Sequence, residues 1–128
     1  MTTWSFSAIK EYETCPRKYH ASRVEKLYPF QQSAAAKYGN EVHEAAEVYI
    51  RDGTPLPANM VHFQPQLDSL NNIEGAKLCE HKMAVTPDLE PCDFDSDSRW
   101  VRGIADLVII NKSKAFVVDY KTGSAKYP

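Results

Sequence analysis

Gly103-Ile104-Ala105-Asp106-Leu107-Val108-Ile109-Ile110, then Asn111-Lys112-Ser113-Lys114, then Ala115-Phe116-Val117-Val118-Asp119-Tyr120-Lys121, is the stretch on which the fold turns. Runs dense in Val and Ile on either side of a short polar segment predict two strands joined by a hairpin, over Ile104 to Ile110 and Ala115 to Asp119. Side chains alternate along a strand, so Asp119 and Lys121 project to one side. Two carboxylates and a lysine then gather at one edge of a small sheet. Charges in apolar strands cost free energy unless they are paired, bind metal or do chemistry. This cluster is the leading candidate for a functional site.

Upstream, Ala76 to Val85 alternates Leu78, Glu80 and Lys82 with Cys79, Met83 and Val85, which predicts a further strand. Residues 86–98, with Asp88, Glu90, Asp93, Asp95 and Asp97, read as a polar acidic loop. Ala34 to Ile50 is the clearest helix, with Tyr38, Val42, Ala45, Ala46, Tyr49 and Ile50 on one face. Gly53, Pro55 and Pro57 end it. His62 to Ile73 reads as a weaker helix that buries Phe63, Leu67 and Leu70. Between Ser7 and Tyr19, Ile9, Tyr12 and Tyr19 share a helical face, Ser5 or Ser7 is the cap, and Pro16 breaks the segment after Cys15 and opens a new turn. Helices first and a three-strand meander after them make an α+β fold, with N-terminal helices packed on a small, mainly antiparallel sheet.

The chain has 128 residues and a net charge of −2, the size of one domain, and it lacks the overall basic charge of a nucleic-acid coat protein. A local basic patch remains compatible with that sum. Cys15, Cys79 and Cys92 contain no C-x-x-C pair, which suggests neither a disulfide framework nor a zinc ribbon, and the odd count fits reduced thiols. No apolar stretch reaches the length of a membrane span, and no signal-peptide core is present, so the expectation is a cytoplasmic protein without a membrane partner.

Five separated elements point one way: Trp4-Ser5-Phe6-Ser7-Ala8-Ile9 with Tyr12 and Cys15-Pro16-Arg17-Lys18-Tyr19; Gly39-Asn40-Glu41-Val42-His43-Glu44; Glu80; Gly103-Ile104-Ala105-Asp106; and Asp119-Tyr120-Lys121-Thr122-Gly123. Together they resemble the RecB-like branch of the PD-(D/E)xK nuclease superfamily, which includes CRISPR-associated RecB-like and phage-encoded exonucleases. The resemblance implies a restriction-endonuclease-like core and a single nuclease domain over residues 1–128. It also implies a metal-dependent hydrolase of DNA phosphodiester bonds, exonucleolytic, serving phage or bacterial recombination, repair or replication in the bacterial cell or phage-infected host. A catalytically inactive nucleic-acid-binding or assembly module of the same fold, and a structure-specific endonuclease, are the alternatives.

Phosphodiester hydrolysis needs a nucleophilic water, neutralisation of phosphate charge and help for the leaving oxygen. Carboxylates such as Asp106 and Asp119 are hard ligands suited to Mg²⁺ or Mn²⁺. A bound divalent ion lowers the pKa of its water and stabilises developing charge. The resemblance implies that Asp106 and Asp119 hold the metal, that His43 completes the ligand set, and that Lys121 orients or deprotonates the water or contacts the phosphate. By the same resemblance Glu80 matches an acidic position that family members often carry on the first strand, which implies that it binds a second metal or organises the site. Without such a role, Glu80 and Lys82 simply line a solvated strand face, and Asp119 and Lys121 form a strand-end salt bridge.

Arg17, Lys18, Arg23 and Lys26 form the densest basic run, either a solvated face or a surface that tracks nucleic-acid phosphates. Tyr19, Tyr28 and Phe30 among them are core aromatics or platforms for unpaired bases. In some relatives a cysteine at the place of Cys15 begins a four-cysteine iron–sulfur site completed beyond the last catalytic motif. No cysteine follows Cys92, so no iron–sulfur cluster is expected, and Cys15 reads as a small residue closing the helix turn. Asp93-Phe94-Asp95-Ser96-Asp97 lacks the glycine and glutamate of a calcium loop. RecB-like members continue past the lysine into a helix bearing a Gln and a Tyr, then more strand and helix, whereas this sequence stops at Pro128. The domain is therefore expected to lack that helix and strand and to expose an apolar sheet face. Truncation is the favoured reading, beside a minimal protein and one completed by a homo-oligomer or a partner protein.

Overall fold

The computed structural model describes residues 2–29 and 31–123. Its elements run α1 (Phe6–Thr14), α2 (Pro16–Tyr19), a π turn (His20–Val24), α3 (Ala34–Asp52), a 3₁₀ turn (Ala58–Phe63), α4 (Gln64–Asn71), then β1 (Ala76–Val85), β2 (Pro91–Cys92), β3 (Val101–Asn111) and β4 (Lys114–Val118). The strands form an antiparallel sheet in the order β2-β1-β3-β4, so the fold is α+β and consistent with a restriction-endonuclease-like core. The chain divides into two compact units, Met1–Gln31 with Lys82–Ile104 and Gln32–His81 with Ala105–Pro128.

In the second unit, α3 is defined at both ends by local chemistry. Ser33 caps it, its hydroxyl accepting from the Ala36 N–H at 3.1 Å. Gly53 ends it in the left-handed region at φ 72°, donating to the Tyr49 carbonyl at 3.1 Å. Val42, Ala46 and Ile50, four residues apart, are its buried stripe. Ala46 and Ile50 meet Leu67 of α4 and the fully buried Leu107 and Ile109 of β3 in the core. The Tyr49 hydroxyl donates to the Asp68 carboxylate. The β3–β4 hairpin keeps the predicted connection, pairing Asn111 with Lys114 and Leu107 with Val118 across a turn in which Lys112 has φ 54°. On this hairpin Val117 is 71% exposed, Phe116 43% and Ile110 41%.

In the first unit, Ser5 caps α1, and Pro16 opens α2 with the Cys15 thiol accepting from the Lys18 N–H at 3.4 Å. Cys15 thus closes the turn as a cap. Trp4, Tyr12 and Tyr19 cluster with ring centroids 5.4–5.9 Å apart. The Trp4 backbone bonds Trp100 and Arg102 at the start of β3.

Two expectations need correction. Residues 86–98 are not all loop: a turn closed by Thr86 and Glu90 returns the chain so that Cys92 pairs with Ala84 and Pro91 with Val85, making four strands instead of three. Two residues are too short for any periodicity to register, and a proline is tolerated on this outermost strand. The acidic side chains of that segment are exposed, and Arg102 pairs with Asp95 at 2.9 Å while its guanidinium lies 4.5 Å from the Phe94 ring. Finally, the weak helix begins in a 3₁₀ turn and becomes α-helical only at Gln64, just before Pro65 in its first turn.

Candidate functional site

α3 carries His43 beside its buried stripe, β3 carries Asp106 among core residues, and the chain leaving β4 carries Asp119, Tyr120 and Lys121. Gly39, one turn before His43, faces that exit: a Cβ there would make an ordinary contact with the Thr122 hydroxyl at 3.4 Å.

The His43 Nε2 lies 2.9 Å from the Tyr120 carbonyl oxygen. A carbonyl only accepts, so Nε2 carries the proton and donates. Nδ1 of the same ring then faces Asp106 Oδ1 at 3.3 Å. The other Asp106 oxygen accepts from the Tyr120 N–H at 2.7 Å. The Tyr120 backbone therefore orients both side chains at once, and its ring lies edge-on to His43 with centroids 5.8 Å apart. The Asp119 carboxyl interacts with that of Asp106 and pairs with Lys121 Nζ at 2.7 Å. Strand β4 has ended by Asp119, yet Asp119 and Lys121 still share a side.

The charges are uneven. Burial pushes the Asp106 carboxyl above its ordinary value, with Asp119 raising it further against the Tyr120 N–H, which lowers it. The Lys121 ammonium holds Asp119 below the ordinary carboxylate range. Burial also raises the Tyr120 phenol to about 12. Its hydroxyl is buried and has no hydrogen-bond partner among the described residues.

Glu80 reaches the same neighbourhood by a local device. It sits in β1 at φ 50°, a left-handed conformation costly for a non-glycine residue, and this breaks the strand's alternation. Its carboxyl is raised by burial first, then by the nearby Glu47 and Asp106, while His43 lowers it. Glu47 follows His43 by one helical turn and pairs with Arg51 at 2.5 Å.

The structure thus brings His43, Glu80, Asp106, Asp119 and Lys121 together in the second unit. The four basic residues singled out in the sequence belong to the first. Of these, Arg23 is bound to Glu11 at 2.5 Å, which holds the Glu11 carboxyl low. Arg17 and Lys18 lie in the last turn of α2. Tyr19 belongs to the Trp4 ring cluster, Tyr28 is 69% exposed, and Phe30 lies outside the described residues.

Sequence reasoning missed Tyr120 and Glu47. Glu47 was findable, four residues beyond His43 on one helix face. Tyr120 acts through its backbone, which no residue type announces.

Among the described residues no three His, Cys, Asp or Glu side chains stand ready-made around a single point. The donor chemistry nevertheless fits a cation. Nδ1 of His43 meets Oδ1 of Asp106, and the Asp106 carboxyl meets that of Asp119, so the cluster is satisfied by shared protons or by a positive charge, which a bound cation would supply. Two hard oxygens with one imidazole match Mn²⁺ or Mg²⁺ better than a soft metal.

Two comparisons with known proteins are empty: no curated protein and no solved structure matches the chain. The third is positive. The family model of the PD-(D/E)XK nuclease superfamily matches residues 3–128.

Proposed function

This chain belongs to the PD-(D/E)XK nuclease superfamily, and we propose that it is a divalent-metal-dependent deoxyribonuclease of the RecB-like branch that degrades DNA from its ends in phage or bacterial recombination, repair or replication, in the cytoplasm. Members of the superfamily usually hydrolyse phosphodiester bonds and typically use Mg²⁺ or Mn²⁺. The observation that carries this reading is the convergence of an imidazole and two carboxyls: Nδ1 of His43 lies 3.3 Å from Oδ1 of Asp106, with Nε2 turned to the Tyr120 carbonyl, and Asp119 stands beside Asp106. In this reading His43, Asp106 and Asp119 hold the ion, and Glu80 adds negative charge at its border. When bound, the ion supplies Lewis acidity at the phosphate and a water of lowered pKa.

The chain's own groups have separate tasks. The Tyr120 N–H fixes the Asp106 carboxylate, and the Tyr120 carbonyl fixes the imidazole tautomer, a role well known for groups behind metal ligands. Lys121, anchored to Asp119 at 2.7 Å, orients or deprotonates the attacking water or contacts the scissile phosphate. Arg17, Lys18 and Lys26 provide sequence-independent backbone contacts. Arg23 is already neutralised by Glu11 and adds less.

The test is degradation of end-labelled linear DNA and closed circular DNA with Mn²⁺, Mg²⁺ or EDTA. Metal-dependent loss of linear substrate, with circles spared, supports the exonuclease. Nicked circles would replace it with an endonuclease, and no cleavage with either metal would remove the catalytic reading.

A further inference from the structure

Beside the residues just described, the second unit holds a cavity of about 330 Å³. Its inner walls are apolar, from Val42, Leu56, Met60, Phe63 and Leu70, and Gln66 is the polar residue that α4 contributes. The remaining wall is the segment Asp119–Thr122, the same backbone that carries the acidic and basic groups of the candidate site. We propose that this cavity is a slot for an unpaired nucleobase, seating the nucleotide next to the scissile phosphate. This rests on the nuclease reading above and deepens it by naming the substrate as a strand with an unstacked, unpaired end.

Four features select a base as occupant. The volume lies at the lower end of small-ligand sites, where mostly apolar walls and a few placed polar groups are the rule. An apolar wall with an aromatic ring, Phe63, and a thioether, Met60, suits the flat π face of any base. The Gln66 amide both donates and accepts, as a base edge does, whereas a hydrocarbon ligand has no use for it or for Asp119 and Lys121. Because the wall and the site are one stretch of backbone, a group in the cavity is held within a nucleotide's reach of Asp119. A base still stacked in a duplex offers neither face to such a slot. It has to leave the stack first, and that is least costly at an unpaired end.

Two measurements decide the matter separately from catalysis. In the first, methyl groups of Val42, Leu56, Met60 and Leu70 are followed by NMR in EDTA as thymidine monophosphate is added, for the wild type and for Leu56→Trp, which fills the cavity. Shifts confined to these methyls in the wild type, and lost in a Leu56→Trp protein with unchanged circular dichroism, are expected. Absent or scattered shifts overturn the slot whether or not the protein cuts DNA. In the second, single-stranded DNA ending in thymidine is compared with the same strand ending in an abasic nucleotide, in Mn²⁺. The wild type is expected to prefer the intact end at least tenfold in kcat/KM, and Leu56→Trp to lose the preference. Equal cleavage of both ends by the wild type overturns the proposal while leaving the nuclease in place. If no DNA is cut at all, the nuclease reading fails alone and the methyl shifts still decide the slot.

Discussion

Replacing Lys121 with Met separates a structural salt bridge from a catalytic lysine. The pair it forms with Asp119 is short, 2.7 Å, but the Lys121 side chain is 51% exposed and that of Asp119 61%. Screened pairs of this kind contribute between about 0.2 and 1 kcal/mol, and Met retains most of the apolar stem. With about 4 °C per kcal/mol for a domain of this size, the midpoint of thermal unfolding should fall by no more than about 4 °C. A positioned general acid or base is worth about 10² to 10⁴ in rate. The expected result is therefore a cleavage rate lower by at least about a hundredfold in a protein that melts almost unchanged. Circular dichroism melts and hydrolysis of end-labelled DNA in Mn²⁺, on one preparation, read both numbers. A variant that cuts like the wild type, or one that loses more than about 10 °C, refutes the reasoning.

Asp106→Asn should abolish cleavage yet make the metal-free protein as stable as the wild type or more so at neutral pH. The Asp106 carboxyl is raised on folding, so the native state holds its proton more tightly than the unfolded chain, and stability falls as pH rises through that window; melts in EDTA from pH 4 to pH 8 check the sign, and a variant less stable than the wild type at pH 8 contradicts it. Asp119 has the opposite shift: its small contribution is present above the unfolded pKa and lost as pH falls through the lower folded value. His43→Ala should weaken Mn²⁺ affinity by about ten- to a hundredfold while keeping the fold, so raised Mn²⁺ restores part of the rate; a titration of rate against Mn²⁺ shows whether it does. Gly75→Ala should cost at least about 2 kcal/mol, because Gly75 has φ 139° and a Cβ there collides with the Ile110 carbonyl oxygen; urea unfolding measures it.

What the residues announced and what they did not follows from how far each signal extends. α3 declares itself over its whole length, with a serine cap, a stripe at four-residue spacing and a closing glycine. The β3–β4 hairpin does the same through its Val and Ile runs, and β1 appears at Ala76–Val85 as predicted. β2 pairs only two residues, and its signal is a turn, not a pattern. The π turn over His20–Val24 has no composition of its own and arises where the helix continues past Tyr19. At the site, Asp106 stood out because a carboxylate interrupts an apolar strand, and its side chain is indeed only 11% exposed. The positive φ of Glu80 and the double backbone role of Tyr120 were invisible, since both are backbone geometry imposed by tertiary contacts. The cavity was equally hidden, because α3, the 3₁₀ turn, α4 and the end of β4 each contribute one wall. Likewise, the basic run looked uniform until Glu11, twelve residues before Arg23, took that guanidinium.

The proposed chemistry requires His43, Asp106 and Asp119 to form one cation site. Its most direct test is Mn²⁺ binding followed by electron paramagnetic resonance, titrating the metal into the wild type and into Asp106→Asn at pH 7.5 without DNA. The wild type should withdraw Mn²⁺ from solution and the variant should bind it at least about tenfold more weakly, as expected when one of a few ligands is lost. Equal binding by both proteins, or none by the wild type, would contradict the central claim.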